Sequence, residues 1–312
     1  MLQPWAFVSP ASRGIGFELA RRLLATTDVP VVMTARKNLD KVREEILSAA
    51  GKDVKEDRLH VLELDVLEEA SVKEAAARAA ELFPKKSSYL HLAFAIPGIL
   101  HAEKSPSQID YDNALLTFRT NTLGPLLLIK HFSAFLPKKA TEIATGSNSA
   151  SPSSTPSEKN SNPASTTEEG QDSKKPGSTS SSPSSSSSSS ESLSRGLPPT
   201  AVWATMSARV GSISDNRAGG WYSYRASKSG VNQITKSFDQ HLRATAGDRA
   251  MAIALHPGTV KTGLSKGFWE SVGEDKLFTA EDAAGKLINV VNGLGVEGRG
   301  RCWDWKGEEI MP

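Results

Sequence analysis

Ala6-Phe7-Val8-Ser9-Pro10-Ala11-Ser12-Arg13-Gly14-Ile15-Gly16-Phe17-Glu18-Leu19-Ala20 is the stretch that decides the fold. Its apolar opening at residues 6–8 reads as a short strand, and over residues 16–25 Phe17, Leu19, Ala20, Leu23 and Leu24 recur at helical spacing. A strand that runs through a glycine turn into a helix is the unit of a parallel sheet. Glycines at the mouth of such a helix let the main chain approach a pyrophosphate, which the unpaired N–H groups and positive dipole end can hold. Alone, a Gly-x-Gly turn is equally an ordinary entry into a helix, so the rest of the chain has to supply the context.

The same unit repeats outward from this stretch. Residues 31–34, 59–64 and 90–95 read as strands, while Leu39, Val42, Ile46 and Leu47, then Val72, Ala75, Ala76, Ala79 and Leu82, mark the inner faces of helices. A long helix is expected over 112–135, stopped by Pro137. The pattern resumes with a strand at 201–205, a helix through 224–243, a strand at 251–255, a helix from Thr279 and a last strand at 302–305. This alternation predicts an α/β fold, a doubly wound parallel (Rossmann) sheet with helices on both faces.

Between Ile143 and Leu193 there is no Val, Leu, Ile, Met, Phe, Trp, Tyr or Cys, and residues 184–190 are an unbroken serine run. Such a segment cannot build a core and is expected to leave the domain as a disordered surface insertion. The expected organisation is therefore one domain in two pieces: 1–138, the N-terminal dinucleotide-binding part, and 199–312, the remainder, interrupted by 139–198. Without the insertion about 250 residues remain, enough for one well-buried domain.

The 312 residues carry a net charge of +2 with no block of Lys or Arg, which leaves no electrostatic footprint for nucleic acid or an anionic membrane. No apolar run approaches the roughly 20 residues of a membrane span, and the first residues lack the basic start of a secretory signal. The single cysteine, Cys302, forbids an intramolecular disulfide and argues against a thiol metal site. A cytoplasmic protein with no metal, nucleic-acid or membrane partner is expected.

Two features carry chemistry. The second strand ends Thr34-Ala35-Arg36, where an NAD site would usually place an acid for the ribose 2′-hydroxyl; Arg36, with Arg13 in the glycine turn, offers guanidinium forks suited to a 2′-phosphate. NADP(H) is favoured over NAD. In Tyr224-Arg-Ala-Ser-Lys228 the two ends share a helix face, so the ammonium is expected near the phenol, lowering a pKa of about 10 and fitting it to give a proton to a carbonyl oxygen. A Tyr and Lys at this spacing also occur on ordinary amphipathic helices.

Taken in order, the glycine turn, Leu64-Asp65-Val66, Asn121-Thr-Leu-Gly124, Tyr224-x-x-x-Lys228 and His256-Pro-Gly-Thr-Val-Lys-Thr262 resemble the classical short-chain dehydrogenases/reductases. Met206-Ser-Ala-Arg-Val-Gly-Ser-Ile213, Gly219-Gly-Trp-Tyr-Ser-Tyr-Arg-Ala-Ser-Lys228 and Gly300-Arg-Cys-Trp-Asp-Trp-Lys-Gly307 look like the C-factor-type, carbonyl-reductase-like branch. The resemblance implies Tyr224 as acid/base, Lys228 on the nicotinamide ribose, and Asn121 distorting its helix and holding a water in the proton relay. It implies cofactor contacts from Ser12, Arg13, Gly14, Ile15 and Gly16, and from Arg36, Asp65, Gly98, Val260 and Thr262. Lys130 matches a basic position often given to cofactor contact. It further implies a small-molecule carbonyl or alcohol substrate, with Trp221, Tyr222, Phe268 and Trp269 on the substrate side, and a homodimer or homotetramer through the helices of Asn121 and Tyr224.

Three departures matter. Pro10 stands at the family's first turn glycine, and Ala95-Ile96-Pro97-Gly98 replaces the usual Asn-Asn-Ala-Gly. The serine that orients the substrate carbonyl falls on Ala208. Ser207 and Ser212 compete to replace it, and Ser212 is the candidate taken. A catalytically weak dinucleotide-binding signalling protein on the same fold is the alternative to an enzyme.

Overall fold

A computed structural model describes residues 2–141, 196–273 and 276–312. The first repeat is β1 (Gln3–Ser9) followed by α1 (Gly14–Thr26), and β2 (Val31–Ala35), α2 (Leu39–Ala50), β3 (Leu59–Glu63), α3 (Glu69–Leu82) and β4 (Ser88–Ala95) continue it as expected. After the insertion come β5 (Ala201–Met206), α6 (Tyr222–Thr245), β6 (Ala250–His256) and α7 (Ala280–Gly293), then β9 (Cys302–Asp304) and β10 (Glu309–Ile310). The main sheet runs β10-β9-β6-β5-β4-β1-β2-β3, parallel except for the antiparallel β10 edge. Two short strands, β7 (Thr259–Val260) and β8 (Leu277–Phe278), pair apart from it; these two and β10 are not foreshadowed in the sequence.

Alternate residues of the central strands enter opposite cores. Ala6, Val8, Val31, Met33, Phe94 and Val202 pack with Leu19, Leu23, Ile46 and Leu287 beneath α1, α2 and α7. Trp5, Phe7, Val32, Ala93 and Trp203 face Val72, Leu128, Phe132, Phe238 and Leu242 of α3, of α5 (Gly124–Phe132) and of α6. Phe7 stacks on Phe132 at 4.4 Å and Trp203 meets Phe238 edge-on at 5.7 Å. Truncating either aromatic of the sheet costs about 3–5 kcal/mol.

The expected single helix over 112–135 is instead three pieces. α4 (Tyr111–Phe118) passes through a π-helical turn, Arg119–Leu123, into α5, and a short 3₁₀ turn, Ser133–Phe135, closes the run. Pro125 supplies the reason: it has no N–H for the carbonyl four residues back, that of Asn121, so the regular ladder cannot continue there. Asn121 sits within the wide turn.

Most of the predicted insertion, residues 142–195, lies outside the described residues, but its two ends do not. Lys139 N–H donates to the Thr245 carbonyl at 3.2 Å, a ring nitrogen of His91 lies 2.7 Å from the Pro198 carbonyl, and the Asn292 amide donates to the Gly196 carbonyl at 3.1 Å. Both ends of the segment expected at 139–198 are thus tied to the domain.

β1 is the switch point of the sheet: β2 and β3 extend to one side of it, β4, β5 and β6 to the other. In such sheets the crevice beyond the carboxyl ends of the strands is where ligands bind. The loops leaving β1, β4, β5 and β6 all meet there.

Candidate active site

The loop after β1 is built around two glycines with different needs. Gly14 has φ of +59°, a region that disfavours side chains, and a Cβ on it would lie 3.3 Å from Thr262 Cγ2. A Cβ on Gly16 would lie 2.1 Å from the Pro10 carbonyl oxygen, so no larger residue fits. The Ser9–Pro10 peptide is cis, and Ala11 N–H donates to the Thr34 carbonyl at 2.8 Å. α1 starts at Gly14 without a side-chain cap from Arg13, so its first N–H groups face the crevice end of the sheet. Ser12 and Arg13 are exposed, Ile15 is half-buried, and Thr262 brings the segment after β6 onto this turn.

At the ends of β2 and β3, Arg36 lies 3.8 Å from the Asp65 carboxylate and stays 63 % exposed, leaving most of its guanidinium free for an anion. Asp65 also caps its own turn, accepting Leu67 N–H at 3.0 Å.

The densest polar group lies where β4, β5 and α6 converge. A Cβ on Gly98 would sit 3.7 Å from Lys228 Nζ and 3.9 Å from Asn121 Oδ1, so the three share one spot. Asn121 Oδ1 accepts Ile99 N–H at 2.8 Å, while its amide donates to the Ile99 carbonyl and to Ser227 Oγ, both at 3.0 Å. Ser227 Oγ donates to the Tyr224 carbonyl at 2.7 Å. Lys228 Nζ donates to the Met206 carbonyl at 2.8 Å and lies 5.8 Å from the centroid of the Tyr224 ring.

Burial dominates the electrostatics. It pushes the Tyr224 phenol up to about 12 and the Lys228 ammonium down to about 8. The expectation that the ammonium draws the phenol downward is therefore corrected: Nζ is turned to a carbonyl, and loss of water outweighs its pull. His256 is likewise driven down to about 4, and burial raises the Cys302 thiol to about 12.

Two of the sequence-predicted residues stand away from this cluster. Ser212 is buried, and its hydroxyl donates to the Met311 carbonyl and accepts Asp215 N–H at 3.1 Å. Its competitor Ser207 lies 3.4 Å from the Lys228 carbonyl. Ala208 is extended at φ −157°, and the turn after it lies flush on α6: a Cβ on Gly211 would be 2.8 Å from the Lys228 carbonyl carbon. Lys130 pairs with Glu69 at the start of α3. It lies nine residues beyond Asn121, about 13 Å further along the helical run.

An aromatic wall covers the open side. Trp221 meets Tyr224 at 6.1 Å and Phe268 at 4.8 Å. Val260 is buried, and Ser265 binds its carbonyl while accepting Trp269 Nε1–H at 2.9 Å, which staples the segment bearing Phe268. Tyr222 is 40 % exposed. Sequence reasoning missed Ser227 and Glu103, the latter buried beside the start of α6; in the sequence each looks like a common polar residue.

Comparison with known proteins adds the following. Residues 11–164 match a family model described as enoyl-(acyl carrier protein) reductase. Over 96 residues the chain is 41 % identical to 1-hydroxy-2-glutathionyl-2-methyl-3-butene dehydrogenase of Rhodococcus sp. (strain AD45), covering 31 % of this chain and 40 % of that one. Over 107 residues it is 33 % identical to the C-signal protein of Myxococcus xanthus, covering 34 % and 58 %. The chain thus spans about half the length of these two relatives. The crystal structure of NADPH-bound carbonyl reductase from chicken fatty liver superposes over 100 % of both chains with a TM-score of 0.70 at 24 % identity, a likeness of fold.

Proposed function

We propose that this chain is a member of the short-chain dehydrogenases/reductases, an NADP(H)-dependent oxidoreductase that reduces a carbonyl, or oxidises a secondary alcohol, on a small to medium organic substrate. The observation that carries this reading is the convergence of Gly98, Asn121 Oδ1 and Lys228 Nζ on one spot beside Tyr224.

The residues present fit the dinucleotide. The cradle at Gly14 and Gly16 admits no side chain, and the exposed guanidinium groups of Arg13 and Arg36 favour a 2′-phosphate over a bare ribose. Bound NADPH supplies hydride to the carbonyl carbon. Ser12, Gly14, Ile15 and Gly16 would hold the pyrophosphate by their main chain, with Asp65 toward the adenine and Gly98, Val260 and Thr262 toward the nicotinamide. Tyr224, fully protonated at neutral pH, gives its proton to the substrate oxygen. Lys228 remains charged below about pH 8 and holds the ribose. The Asn121 carbonyl, denied a helical donor by Pro125, would be open to accept the relay water.

Residues 139–198 interrupt this one domain without supplying a site residue. Among the described residues no helix is long and apolar enough to cross a membrane, and we place the protein in the cytoplasm on the strength of its single, buried cysteine. The exposed Tyr111, Leu115, Leu123 and Leu126 of the α4–α5 run support a homodimer or homotetramer through that face.

Purified protein titrated with NADPH, then mixed with aldehydes, ketones and quinones while NADPH absorbance is followed, tests the reading. Turnover that falls about a thousandfold in Tyr224→Phe, with NADPH binding retained, is expected. A second reading, a signalling protein that binds the dinucleotide without efficient turnover, draws on Ala208 and on the likeness to C-signal. NADPH binding with no turnover, unchanged by Tyr224→Phe, selects it, and absence of NADPH binding overturns both.

A further inference from the structure

The first turn of α6 determines where the Tyr224 phenol stands, yet that helix begins without a cap of its own. Its N-cap residue is Trp221, at φ 51° in the left-handed region, with no side-chain acceptor for the unpaired N–H groups. The acceptor comes from a distant loop. Glu103 Oε2 accepts Ser223 N–H at 2.8 Å, and the Glu103 carbonyl accepts Trp221 N–H at 2.6 Å. One residue thus takes the amides on both sides of Tyr222, directly before Tyr224.

The placement is costly and closely built. Glu103 is only 3 % exposed, its other oxygen, Oε1, is buried without a partner, and a Cβ on Gly220 would lie 3.2 Å from its carbonyl oxygen. Burying a carboxylate is unfavourable unless donors or a positive field hold it, and the helix start provides both. The loop bearing Glu103 is itself fixed to the other side of the site. Ile99 is held by Asn121 on both its amide and its carbonyl, and His101 Nδ1 lies 3.1 Å from Thr117 Oγ1 of α4. Glu103 is therefore the far end of a strap running from the Asn121 turn to the turn that carries Tyr224.

We propose that Glu103 is a positioning residue for the reaction: its acceptor oxygens hold the first turn of α6 so that the Tyr224 hydroxyl stays aligned with Lys228 and Asn121. This rests on the oxidoreductase reading. Glu103→Gln keeps an acceptor at the same reach, Glu103→Asp withdraws it by one methylene, and Glu103→Ala removes it. In the full-length protein, Glu103→Asp and Glu103→Ala are expected to lower kcat about tenfold or more, with the carbonyl KM and the NADPH Kd within about twofold of wild type. Glu103→Gln is expected to stay within about threefold of wild type on all three. Hydrogen exchange of the amides at 223–225 should quicken in Glu103→Asp and Glu103→Ala and stay slow in Glu103→Gln.

Should Glu103→Ala fail to fold, the contrast between Glu103→Asp and Glu103→Gln decides. The proposal is overturned by wild-type kcat in Glu103→Asp, by an effect confined to KM or NADPH affinity, or by Glu103→Gln as slow as Glu103→Asp. Exchange needs no turnover: if the wild type binds NADPH without reacting, the oxidoreductase reading fails, and unchanged exchange in Glu103→Asp then overturns the strap by itself.

Discussion

Lys228 Nζ lies 5.8 Å from the Tyr224 ring centroid on one face of α6, and burial drives the two groups toward neutrality from opposite directions, to about 8 and about 12. Below about 8 the pair is an ammonium beside a protonated phenol, the combination that gives a proton to a carbonyl oxygen; as pH rises through that value the lysine charge is lost first. The kcat/KM for carbonyl reduction should therefore be level around neutrality and fall above about pH 8. Lys228→Arg should lower the plateau and abolish that limb, because a guanidinium keeps its charge. A wild-type profile level to about pH 10, where free lysine titrates, would refute the assignment.

The same shift has a stability side. Lys228 falls from 10.5 to about 8 on folding, so between those values the unfolded chain binds more protons and stability gains with rising pH; below about 8 the buried charge is a standing cost. Lys228→Met is expected to be inactive yet to melt higher than wild type at pH 7, with the difference shrinking as pH climbs past about 8. Thermal melts across pH check this, and a lower Tm for the variant at pH 7 contradicts it.

Arg36 is 63 % exposed and lies 3.8 Å from Asp65 at the ends of β2 and β3, open to an anion. Arg36→Ala should weaken NADPH binding by about 10- to 100-fold and leave NADH binding within about twofold. Fluorescence titration with both cofactors measures it; equal losses for the two would mean that the arginine does not read the 2′-phosphate.

At Ala208, where the family resemblance puts the orienting serine, the backbone is extended and the side chain is 8 % exposed. Ala208→Ser should raise kcat about tenfold or more, since one well-placed donor to the reacting oxygen contributes a few kcal/mol. A variant that folds, binds NADPH and turns over no faster than wild type indicates that carbonyl orientation is achieved elsewhere.

The repeat that sets the sheet is visible in the chain because Val31, Met33, Leu92 and Phe94 follow strand spacing while Leu19, Leu23 and Ile46 follow helical spacing, each period burying a different surface. The π turn at Asn121 is not visible by that route, for the apolar run Leu126–Ile129 continues the helical pattern; Pro125 was the available signal, because it withdraws the N–H that Asn121 needs. β7 and β8 are two residues each and exist only through each other, so local preference says nothing about them. In the site, Tyr224 and Lys228 were legible because one helix carries both. Ser227 and Glu103 were not, since their partners stand 106 and 120 positions away along the chain. The pairing of Lys130 with Glu69 was not legible either, since 61 positions separate the two.

The contacts at Lys139, Gly196 and Pro198 tie the chain on both sides of the serine-rich stretch to one interleaved sheet. β5, downstream, lies between β4 and β6, and α7 packs on α1, so among the described residues the halves join through the sheet and its helices. The glycine turn and Asn121 lie in residues 2–141, while Tyr224 and Lys228 lie beyond residue 196. Assembly of the candidate site therefore depends on the pairing of β4 with β5, which lays the two stretches of chain side by side.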